Sequence, residues 1–274
     1  MNSVLVTGAS SGIGRSTALM LAERGMTVYA GVRNAADETE LTEAAVGDLR
    51  PVRLDVTRSA DIEAVVSRIG DEGGLGALVN NAGLYFGGPL ELTSEKEIRA
   101  TYEVNVLGLL LLTRACLPLL RASGGRIINI SSISGLVALP GVSVYAGSKF
   151  AVEAITDSLR VELSPFGIRL IAVEPGSIQT EIWTKGEERD RNRKADAEPL
   201  RKLYAPLVTL LEKLNRDPRG LPPESVAEVV HKALTDDSPD NHYIVGADAK
   251  SLALLRWIPD FVRDGMIKRK IWRD

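Results

Sequence analysis

A glycine-rich loop near the start of the chain, TGASSGIG at residues 7–14, restricts the possible folds more than any other feature. It follows an apolar, β-branched run and precedes a segment with apolar residues at helical spacing. Gly8, Gly12 and Gly14 allow the backbone to turn sharply and to approach a diphosphate, whose charge is favoured by the free amides at a helix N-terminus. This position between a strand and a helix predicts a nucleotide-binding sheet. The alternative is an ordinary tight turn, because a lone glycine-rich loop is a weak signal.

Short β-branched runs alternate with helical patterns along the chain. Strands are predicted at residues 4–7, 27–32, 52–55, 77–80, 126–130, 169–173 and 242–245, and helices at 15–24, 60–69, 94–120 and 145–163. This alternation predicts an α/β fold with a seven-stranded parallel sheet and helices on both faces. An eight-stranded α/β barrel would show the same alternation, and the glycine-rich loop favours the doubly wound (Rossmann) sheet. A chain of 274 residues fits one catalytic domain, residues 1–274.

Composition disfavours several classes of function. Lys plus Arg (33) and Asp plus Glu (36) give a net charge of −3, so nucleic acid is not an expected partner. Cys116 is the single cysteine, and with only His231 and His242 beside it a Cys/His metal site is not expected. The N-terminus has no signal-peptide pattern, and the longest apolar run, 104–112, is shorter than the roughly 20 residues of a membrane span. We therefore expect a soluble, cytoplasmic protein with metal-free chemistry.

Seven motifs, in the same order, resemble those of the short-chain dehydrogenase/reductase family in its compact form. They are TGASSGIG at 7–14, LDV at 54–56, NNAG at 80–83, VNVLG at 104–108, NISS at 129–132, YAGSK at 145–149 and PGSIQT at 175–180. The first motif departs from G-x-G-x-x-G and has the T-G-x-x-x-G-x-G spacing of this family. The resemblance covers most of residues 3–180 and implies an NAD(P)-dependent oxidoreductase.

Tyr145 and Lys149 lie four residues apart, and therefore on one face, of a predicted helix. A free phenol has a pKa of about 10, and a nearby ammonium stabilises the phenolate, so we expect Lys149 to lower the pKa of Tyr145. In the resembled family, Tyr145 would exchange a proton with the substrate oxygen while hydride moves, and Lys149 would also bind the nicotinamide ribose. For the pair taken alone, chance spacing on an amphipathic helix is the alternative.

Ser132 and Asn105 complete the catalytic set that the resemblance implies. The family's serine usually lies 13 residues before the tyrosine, which selects Ser132 rather than its neighbours at 131 and 134. A hydroxyl at the carboxyl end of a central strand can hold a substrate carbonyl. Asn105 interrupts an apolar helical stretch, and the resemblance implies that it kinks the helix and positions a water between Lys149 and solvent. A loop cap for Ser132 and a structural buried amide for Asn105 are the alternatives.

Cofactor preference depends on the end of the second strand, YAGVRN. An NAD enzyme usually carries an acid there, whereas an arginine suits the additional phosphate of NADP. Val32 occupies the acid position and Arg33 follows it, so NADP(H) is favoured over NAD(H). A solvated surface charge is the alternative for Arg33, and Asp37 and Glu38 are expected to begin the next helix. The family motifs imply the other cofactor contacts: Gly8, Ser10, Ser11, Gly12, Ile13, Gly14, Asp55, Val56, Asn81, Ala82, Gly83, Tyr145, Lys149, Pro175, Gly176, Ile178 and Thr180.

The substrate region is expected after the last family motif. Residues 181–220 begin with the charged segment EIWTKGEERDRNRKADAEP, which predicts a lid, and KLYAPLVTLLEKL then restores a helical apolar face. Trp183, Tyr204 and Leu207 are candidate substrate contacts, although packing explains them equally well. LSPFGIRLIAVEPGSIQTE and YIVGADAKSLALLRWIPDF look most like the 17β-hydroxysteroid and retinol dehydrogenase branch. That resemblance implies an apolar alcohol or ketone, such as a steroid, a retinoid or a long-chain carbonyl compound.

A C-terminal helical extension, residues 248–274, mixes apolar and basic side chains in DFVRDGMIKRKIWRD. Such a pattern suits an anionic membrane surface. A helix that packs over the substrate cleft or against a partner subunit needs the same apolar stripe, and the sequence favours packing. In the resembled family, the helices at 94–120 and 145–163 form the dimer interface, so a homodimer or homotetramer is expected. Cys116 lies in the first of these helices and is expected to be buried.

Two other functions compete with an oxidoreductase of apolar alcohols. A non-catalytic NADP-sensing protein would keep the glycine-rich loop without needing a proton donor, and the presence of Asn105, Ser132, Tyr145 and Lys149 together argues against it. A 3-oxoacyl-thioester ketoreductase of fatty-acid or polyketide synthesis would share every catalytic residue. The long segment after Thr180 and the C-terminal extension disfavour that function.

Overall fold

Seven parallel strands form a single sheet in a computed structural model that describes residues 2–180, 198–215 and 220–272. The strands are β1 Ser3–Val6, β2 Thr27–Val32, β3 Leu49–Arg53, β4 Ala77–Asn80, β5 Arg126–Ile130, β6 Arg169–Pro175 and β7 His242–Val245. Their order is β3-β2-β1-β4-β5-β6-β7, so the chain reverses its direction of travel across the sheet between β1 and β4. Open α/β sheets bind ligands outside the carboxyl ends of the strands at such a reversal.

Helices cover both faces of the sheet. In the described ranges they are α1 Gly12–Glu23, α2 Ala35–Ala44, α3 Ser59–Asp71, α4 Glu95–Tyr102, α5 Leu109–Ser123, α6 Ser143–Leu163, α7 Glu198–Leu203, α8 Ala205–Asn215, α9 Glu224–Thr235, α10 Ala247–Ala253 and α11 Asp260–Ile271. Val4 and Val6 of β1 belong to a buried cluster with α1 and α9, whereas Leu5 between them belongs to another with α3 and α5. The predicted doubly wound fold is confirmed.

All seven predicted strands are present, with changes at their ends. β3 begins at Leu49 rather than at residue 52, and β6 continues to Pro175 rather than ending at 173. Asp37 and Glu38 lie in the first turn of α2, as predicted, where the Asn34 side chain accepts a hydrogen bond from the Asp37 amide. The sequence prediction did not place α9, which completes one face of the sheet.

The long helix predicted at 94–120 is interrupted in its middle. A π-helical segment, Glu103–Gly108, separates α4 from α5. Glu95–Ser123 as a whole is, among the described residues, the one helix long and apolar enough to cross a membrane. α5 nevertheless packs Leu112 and Cys116 into the core. A core helix passes the same test, so this stretch is only weak evidence for a span.

Candidate active site

The glycine-rich loop is fixed against the end of β4. The Asn81 side chain donates hydrogen bonds to the carbonyl oxygens of Thr7 (2.8 Å) and Gly8 (3.2 Å). Gly8 has a φ of +64°, and a Cβ there would lie 2.9 Å from the Ala82 Cα. A Cβ at Gly14 would overlap the Gly8 carbonyl oxygen, so the first turn of α1 can approach the loop only without a side chain. The glycines therefore bring the free amides of a helix N-terminus to the loop, an arrangement that fits a dinucleotide diphosphate.

A cleft opens where the strand order reverses, between the glycine-rich loop and the start of α6. The predicted cofactor contacts that line it are Gly8, Ser10, Ser11, Gly12, Ile13, Arg33, Asp55, Val56, Asn81, Ala82, Gly83, Tyr145, Lys149, Pro175, Gly176, Ile178 and Thr180. Gly14 is the predicted contact that does not line the cleft, because it packs behind the loop. The lining also includes residues that were not predicted as contacts: Gly31, Val32, Leu54, Leu84, Tyr85, Val104, Ile130 and Ser131. Leu54, Val104, Ile130 and Ser131 belong to the family motifs themselves, which was the available sequence signal.

The end of β2 presents a cation to the cleft instead of an acid. Arg33 lines the cleft, and within the described ranges its guanidinium has neither a hydrogen bond nor an ion pair. Arg53 at the end of β3 is instead bound by the Glu38 carboxylate at 2.8 Å. Asp55 also lines the cleft, but its carboxylate accepts hydrogen bonds from the amide (3.0 Å) and hydroxyl (2.7 Å) of Thr57. An arginine whose guanidinium has no hydrogen bond or ion pair, at the end of the strand where the adenosine ribose is expected, can bind the additional phosphate of NADP.

Tyr145 and Ser132 both reach the cleft, one from the first turn of α6 and the other from the turn after β5. The Ser132 hydroxyl accepts a hydrogen bond from the Ser134 amide at 3.1 Å, so the predicted loop cap is also present. Burial raises the pKa of the Tyr145 phenol to about 12, and the neighbouring Ser132 hydroxyl offsets this only in part. The phenol is therefore protonated at neutral pH and can act as a proton donor.

Lys149 lies in the cleft beside Tyr145 but does not tune it as the sequence predicted. Its Nζ lies 5.8 Å from the centroid of the Tyr145 ring and donates a hydrogen bond to the Ile130 carbonyl oxygen at 2.8 Å. Burial lowers the pKa of Lys149 to about 8, against an opposing effect of the Glu153 carboxylate. The prediction that Lys149 lowers the pKa of Tyr145 is wrong for this structure, since removal of the phenol from water raises that pKa instead.

Asn105 lies in the π-helical segment and joins three elements. Its Oδ1 accepts a hydrogen bond from the Leu84 amide at 2.7 Å, while its Nδ2 donates to the Leu84 carbonyl oxygen and to the Ser148 hydroxyl, both at 3.0 Å. A Cβ at Gly83 would lie 3.6 Å from Asn105 Oδ1 and 3.9 Å from Lys149 Nζ, so both groups face the same space. The helix irregularity implied by the family resemblance is present, and so is the structural role of the amide. The water relay stays a prediction.

Tyr85 is a cleft residue that the sequence reasoning missed. Its ring lies 5.1 Å from that of Tyr145, with an angle of 79° between the planes, and Tyr85 is 2% exposed. This edge-to-face contact is a favourable aromatic geometry that limits the positions available to the phenol. The one sequence signal for Tyr85 was its place two residues after the NNAG motif.

Of the predicted substrate contacts, the two that the structure describes, Tyr204 and Leu207, do not line the cleft. Trp183 and residues 181–197 of the predicted lid lie outside the described residues. Leu207 is buried in a separate apolar cluster that includes Ile271, and Tyr204 packs at the edge of that cluster. Neither residue lines the cleft, so packing, the alternative interpretation, accounts for both.

A buried acidic cluster lies one helical turn beyond Lys149. Glu153 of α6, Glu174 of β6 and His242 of β7 each bring a potential ligand atom within 4.8 Å of the others. His242 Nδ1 lies 2.7 Å from Glu174 Oε1 and 3.8 Å from Glu153 Oε2. Burial raises the pKa of Glu153 to about 7, and the nearby Ser131 hydroxyl offsets this only in part. The hydroxyl and carboxylate groups do not meet the geometry of a good hydrogen bond, so the Glu153 oxygens are poorly satisfied. Only a Cys/His metal site was weighed from the sequence. This cluster of carboxylates and a histidine was missed because its residues meet only when β6 and β7 pair.

A doubly wound sheet with a serine, a tyrosine and a lysine around a glycine-loop cleft defines an oxidoreductase of the nicotinamide-dependent class. Residues 2–191 match the family described as short chain dehydrogenase. The chain belongs to this family, which confirms the resemblance seen in its motifs.

Curated relatives support the predicted branch of the family. Mouse (Mus musculus) retinol dehydrogenase 16 is 34% identical over 96% of this chain and 87% of its own length. Human (Homo sapiens) 17-beta-hydroxysteroid dehydrogenase type 1 is 35% identical over 92% of this chain and 79% of its own. The NADPH-dependent 3-dehydrocapnine reductase of Ornithobacterium rhinotracheale is 34% identical over 96% of this chain and 95% of its own length. A short chain dehydrogenase from Burkholderia cenocepacia, solved in complex with NADP, has a TM-score of 0.75 and 30% identity over 98% of this chain and 97% of its own.

Proposed function

We propose that this oxidoreductase uses NADP(H) to interconvert an apolar ketone and the corresponding secondary alcohol. As a family member, it acts on CH–OH groups with NAD(P). The observation that carries the proposal is the convergence of Ser132, Tyr145 and Lys149 on the cleft that the glycine-rich loop borders.

The bound nicotinamide supplies the hydride that reaches the carbonyl carbon. In this proposal the Ser132 hydroxyl hydrogen bonds the carbonyl oxygen, and Tyr145 donates its proton to that oxygen as the alcohol forms. Lys149 holds the ribose and, with Asn105, lies on the side from which the proton is replaced. The phenol carries its proton at neutral pH, so it can serve as the proton donor when the carbonyl is reduced. Oxidation needs the phenolate and should accelerate as pH rises.

The preference for NADP(H) rests on Arg33. Its guanidinium is exposed at the rim of the cleft, where it interacts electrostatically with Asp55 but has no hydrogen bond or ion pair among the described residues. It lies next to Val32, where an NAD enzyme usually carries an acid. The relative that reduces 3-dehydrocapnine is named as NADPH-dependent, and the Burkholderia neighbour holds NADP. Both names support the same preference here.

An apolar substrate is supported by relatives named for retinol, 17-beta-hydroxysteroid and 3-dehydrocapnine chemistry. The decisive experiment compares purified protein with NADPH and NADH on steroid, retinoid, long-chain and 3-oxoacyl-thioester carbonyls. We expect the highest kcat/KM for an apolar ketone with NADPH. A clear preference for the acyl thioester would replace our proposal with the ketoreductase alternative. Tight NADPH binding without turnover of any carbonyl would support the sensing protein.

We also propose that the protein assembles as a homodimer or homotetramer through the helices at 94–120 and 145–163. Leu107, Phe150 and Val161 are exposed apolar side chains of these helices, which suits burial against a second copy. Light scattering after size exclusion would measure the mass, and a monomer at micromolar concentration would contradict this proposal. The cytoplasmic location stays a prediction.

A further inference from the structure

The C-terminal helix α11 has a buried apolar face that fixes it to the rest of the protein. Ile267 and Ile271, four residues apart, pack with Leu207 and Leu211 of α8 and with Val142. Val142 directly precedes α6, the helix that begins with the Tyr145 segment. We call α8 and α11 together the cap. The packing that the sequence favoured for this tail is therefore present, and two isoleucines of α11 satisfy it.

A second set of apolar side chains on α11 points away from this contact. Val262 and Met266 are exposed and lie on the helix side opposite Ile267 and Ile271, while Phe261, at 80% exposure, flanks them. Trp257, just before the helix, is 75% exposed. Packing among the described residues leaves this outward face uncovered. Single exposed apolar residues are ordinary, but a helix with apolar residues on two opposite sides is not.

The outward face of α11 also carries three cations that form no ion pair with the described residues. Arg269 falls on the side of Val262 and Met266, and Lys268 and Lys270 flank it. In the part of the chain that the structure describes, none of these three cations forms an ion pair, whereas Arg263 is bound by Asp260 and Asp264. Acidic side chains thus neutralise the first turns of the helix and leave the last turns positive.

We propose that this outward face of α11 docks on the surface of an anionic lipid bilayer. Exposed aromatic and aliphatic side chains beside lysine and arginine are the combination that binds the interface between lipid headgroups and acyl chains. A second copy of this chain is a poor occupant, because the acidic groups that an antiparallel two-fold contact would bring to the basic last turns, Asp260 and Asp264, are already bound by Arg263. The docking is peripheral, since α11, with 12 residues, is too short to span a bilayer.

Docking would place the cap, rather than the opposite edge of the sheet, against the lipid. The cap packs on Val142, and a Cβ on the adjacent Gly141 would contact the side chain of Leu211. An apolar ketone or alcohol dissolved in the bilayer would then be presented beside the segment that leads to Tyr145. This consequence rests on the proposed function, whereas the docking itself does not.

Vesicle co-sedimentation of the full chain tests the docking directly. We expect the protein to sediment with vesicles that contain phosphatidylglycerol, to bind pure phosphatidylcholine weakly and to be released by salt. Phe261→Ser should lower the partition coefficient about tenfold and Arg269→Gln about fivefold, by loss of apolar burial and of one charge. Val46→Ser and Lys96→Gln, exposed side chains of the same kinds elsewhere, are the matched controls.

Reduction of a small water-soluble ketone should be unchanged in both α11 variants, which separates docking from catalysis. Equal binding to neutral and anionic vesicles, or loss of binding in the control variants to the same degree, would overturn the proposal. Concentration-dependent self-association that Phe261→Ser abolishes, without vesicle binding by the parent protein, would assign the face to a second copy and also overturn it. If the protein binds anionic vesicles as expected but reduces no carbonyl compound, the proposed function is wrong and the docking proposal is unaffected.

Discussion

The nucleotide cleft and the cap differ in how tightly neighbouring atoms specify each residue. In the cleft, Gly8 and Gly14 have no room for a Cβ, and the Asn81 side chain bonds two carbonyl oxygens of the loop. In the cap, a Cβ on Gly265 would meet nothing within 4 Å, and Phe261 projects into solvent. The described residues of the cleft hold one another closely, whereas the cap has a face that nothing in the described residues covers.

This difference explains why sequence motifs identified one region and not the other. A crowded site restricts residue types at many positions, so the pattern of types is informative by itself. An outward helix face restricts only polarity, and several partners are compatible with the same polarity. We therefore expect substitutions in the cleft to have the largest effects and substitutions on the outward face of the cap to have the smallest.

Tyr145→Phe should lower kcat by at least about a thousandfold, since it removes the proton donor and leaves the ring and its contact with Tyr85 in place. NADPH affinity, measured by fluorescence titration, should remain within a few-fold of the parent value. Tyr85→Phe is the matched control, because it removes a phenolic hydroxyl from the same wall of the cleft. Near-normal turnover by Tyr145→Phe would remove the basis of the proposed mechanism.

Gly14→Ala should prevent stable closure of the loop onto α1, because the new Cβ would overlap the Gly8 carbonyl oxygen. Overpacking of this kind costs about 1–3 kcal/mol, and here it also displaces backbone that should hold the diphosphate. We expect a lower midpoint in urea unfolding and a loss of NADPH binding of more than about tenfold. Unchanged affinity would show that the loop tolerates a side chain and that the cleft is less constrained than its contacts indicate.

Glu153→Gln should change the pH dependence of stability. The pKa of Glu153 is raised from 4.5 to about 7 on folding, so the native state binds more protons than the unfolded state in that window and stability falls as pH rises. Above pH 7 the variant should be more stable than the parent, by up to about 3 kcal/mol, while the two should converge near pH 4.

Other groups close to Glu153 also affect how stability depends on pH. Glu174 and Asp157 oppose its ionisation, and His242 favours it. The pKa of His242 is itself raised, chiefly by its hydrogen bond to Glu174, so its contribution to stability is also lost as pH rises. A residual slope in the variant is therefore expected from His242. Urea unfolding across this pH range measures both slopes, and parallel curves for the two proteins would contradict the raised pKa of Glu153.

Arg33→Ala should weaken NADPH binding about tenfold to a hundredfold and NADH binding much less, because only the phosphorylated ribose gains from the guanidinium. Arg53→Ala is the matched control, since Arg53 lies at the end of the neighbouring strand and is already bound by Glu38. Titration of each variant with NADPH and with NADH gives the ratio of the two dissociation constants for that variant. An equal loss for NADPH and NADH in Arg33→Ala would count against the NADP preference.

Much of the cleft could be predicted from sequence, and the misses have physical causes. The spacing of Tyr145 and Lys149 placed them in one cleft, but spacing carries no information on burial, which raises the pKa of the tyrosine against the prediction. The acidic cluster spans 89 residues of sequence, from Glu153 through Glu174 to His242 (242 − 153). Only the pairing of β6 with β7 brings these residues together. Such long-range contacts leave no local pattern.

Gly265→Ala should have the smallest effect and the opposite sign to Gly14→Ala. Gly265 lies in the middle of α11, where alanine is favoured over glycine by about 1 kcal/mol, and its Cβ would meet no neighbour within 4 Å. We expect slower amide exchange across α11 and a slightly higher affinity for anionic vesicles, because the helix is more ordered before it docks. Destabilisation in solution would mean that the outward face is already covered by another part of the protein or by a second copy. The contrast between a crowded cleft and an open cap would then be lost, and with it the reason to expect lipid at α11.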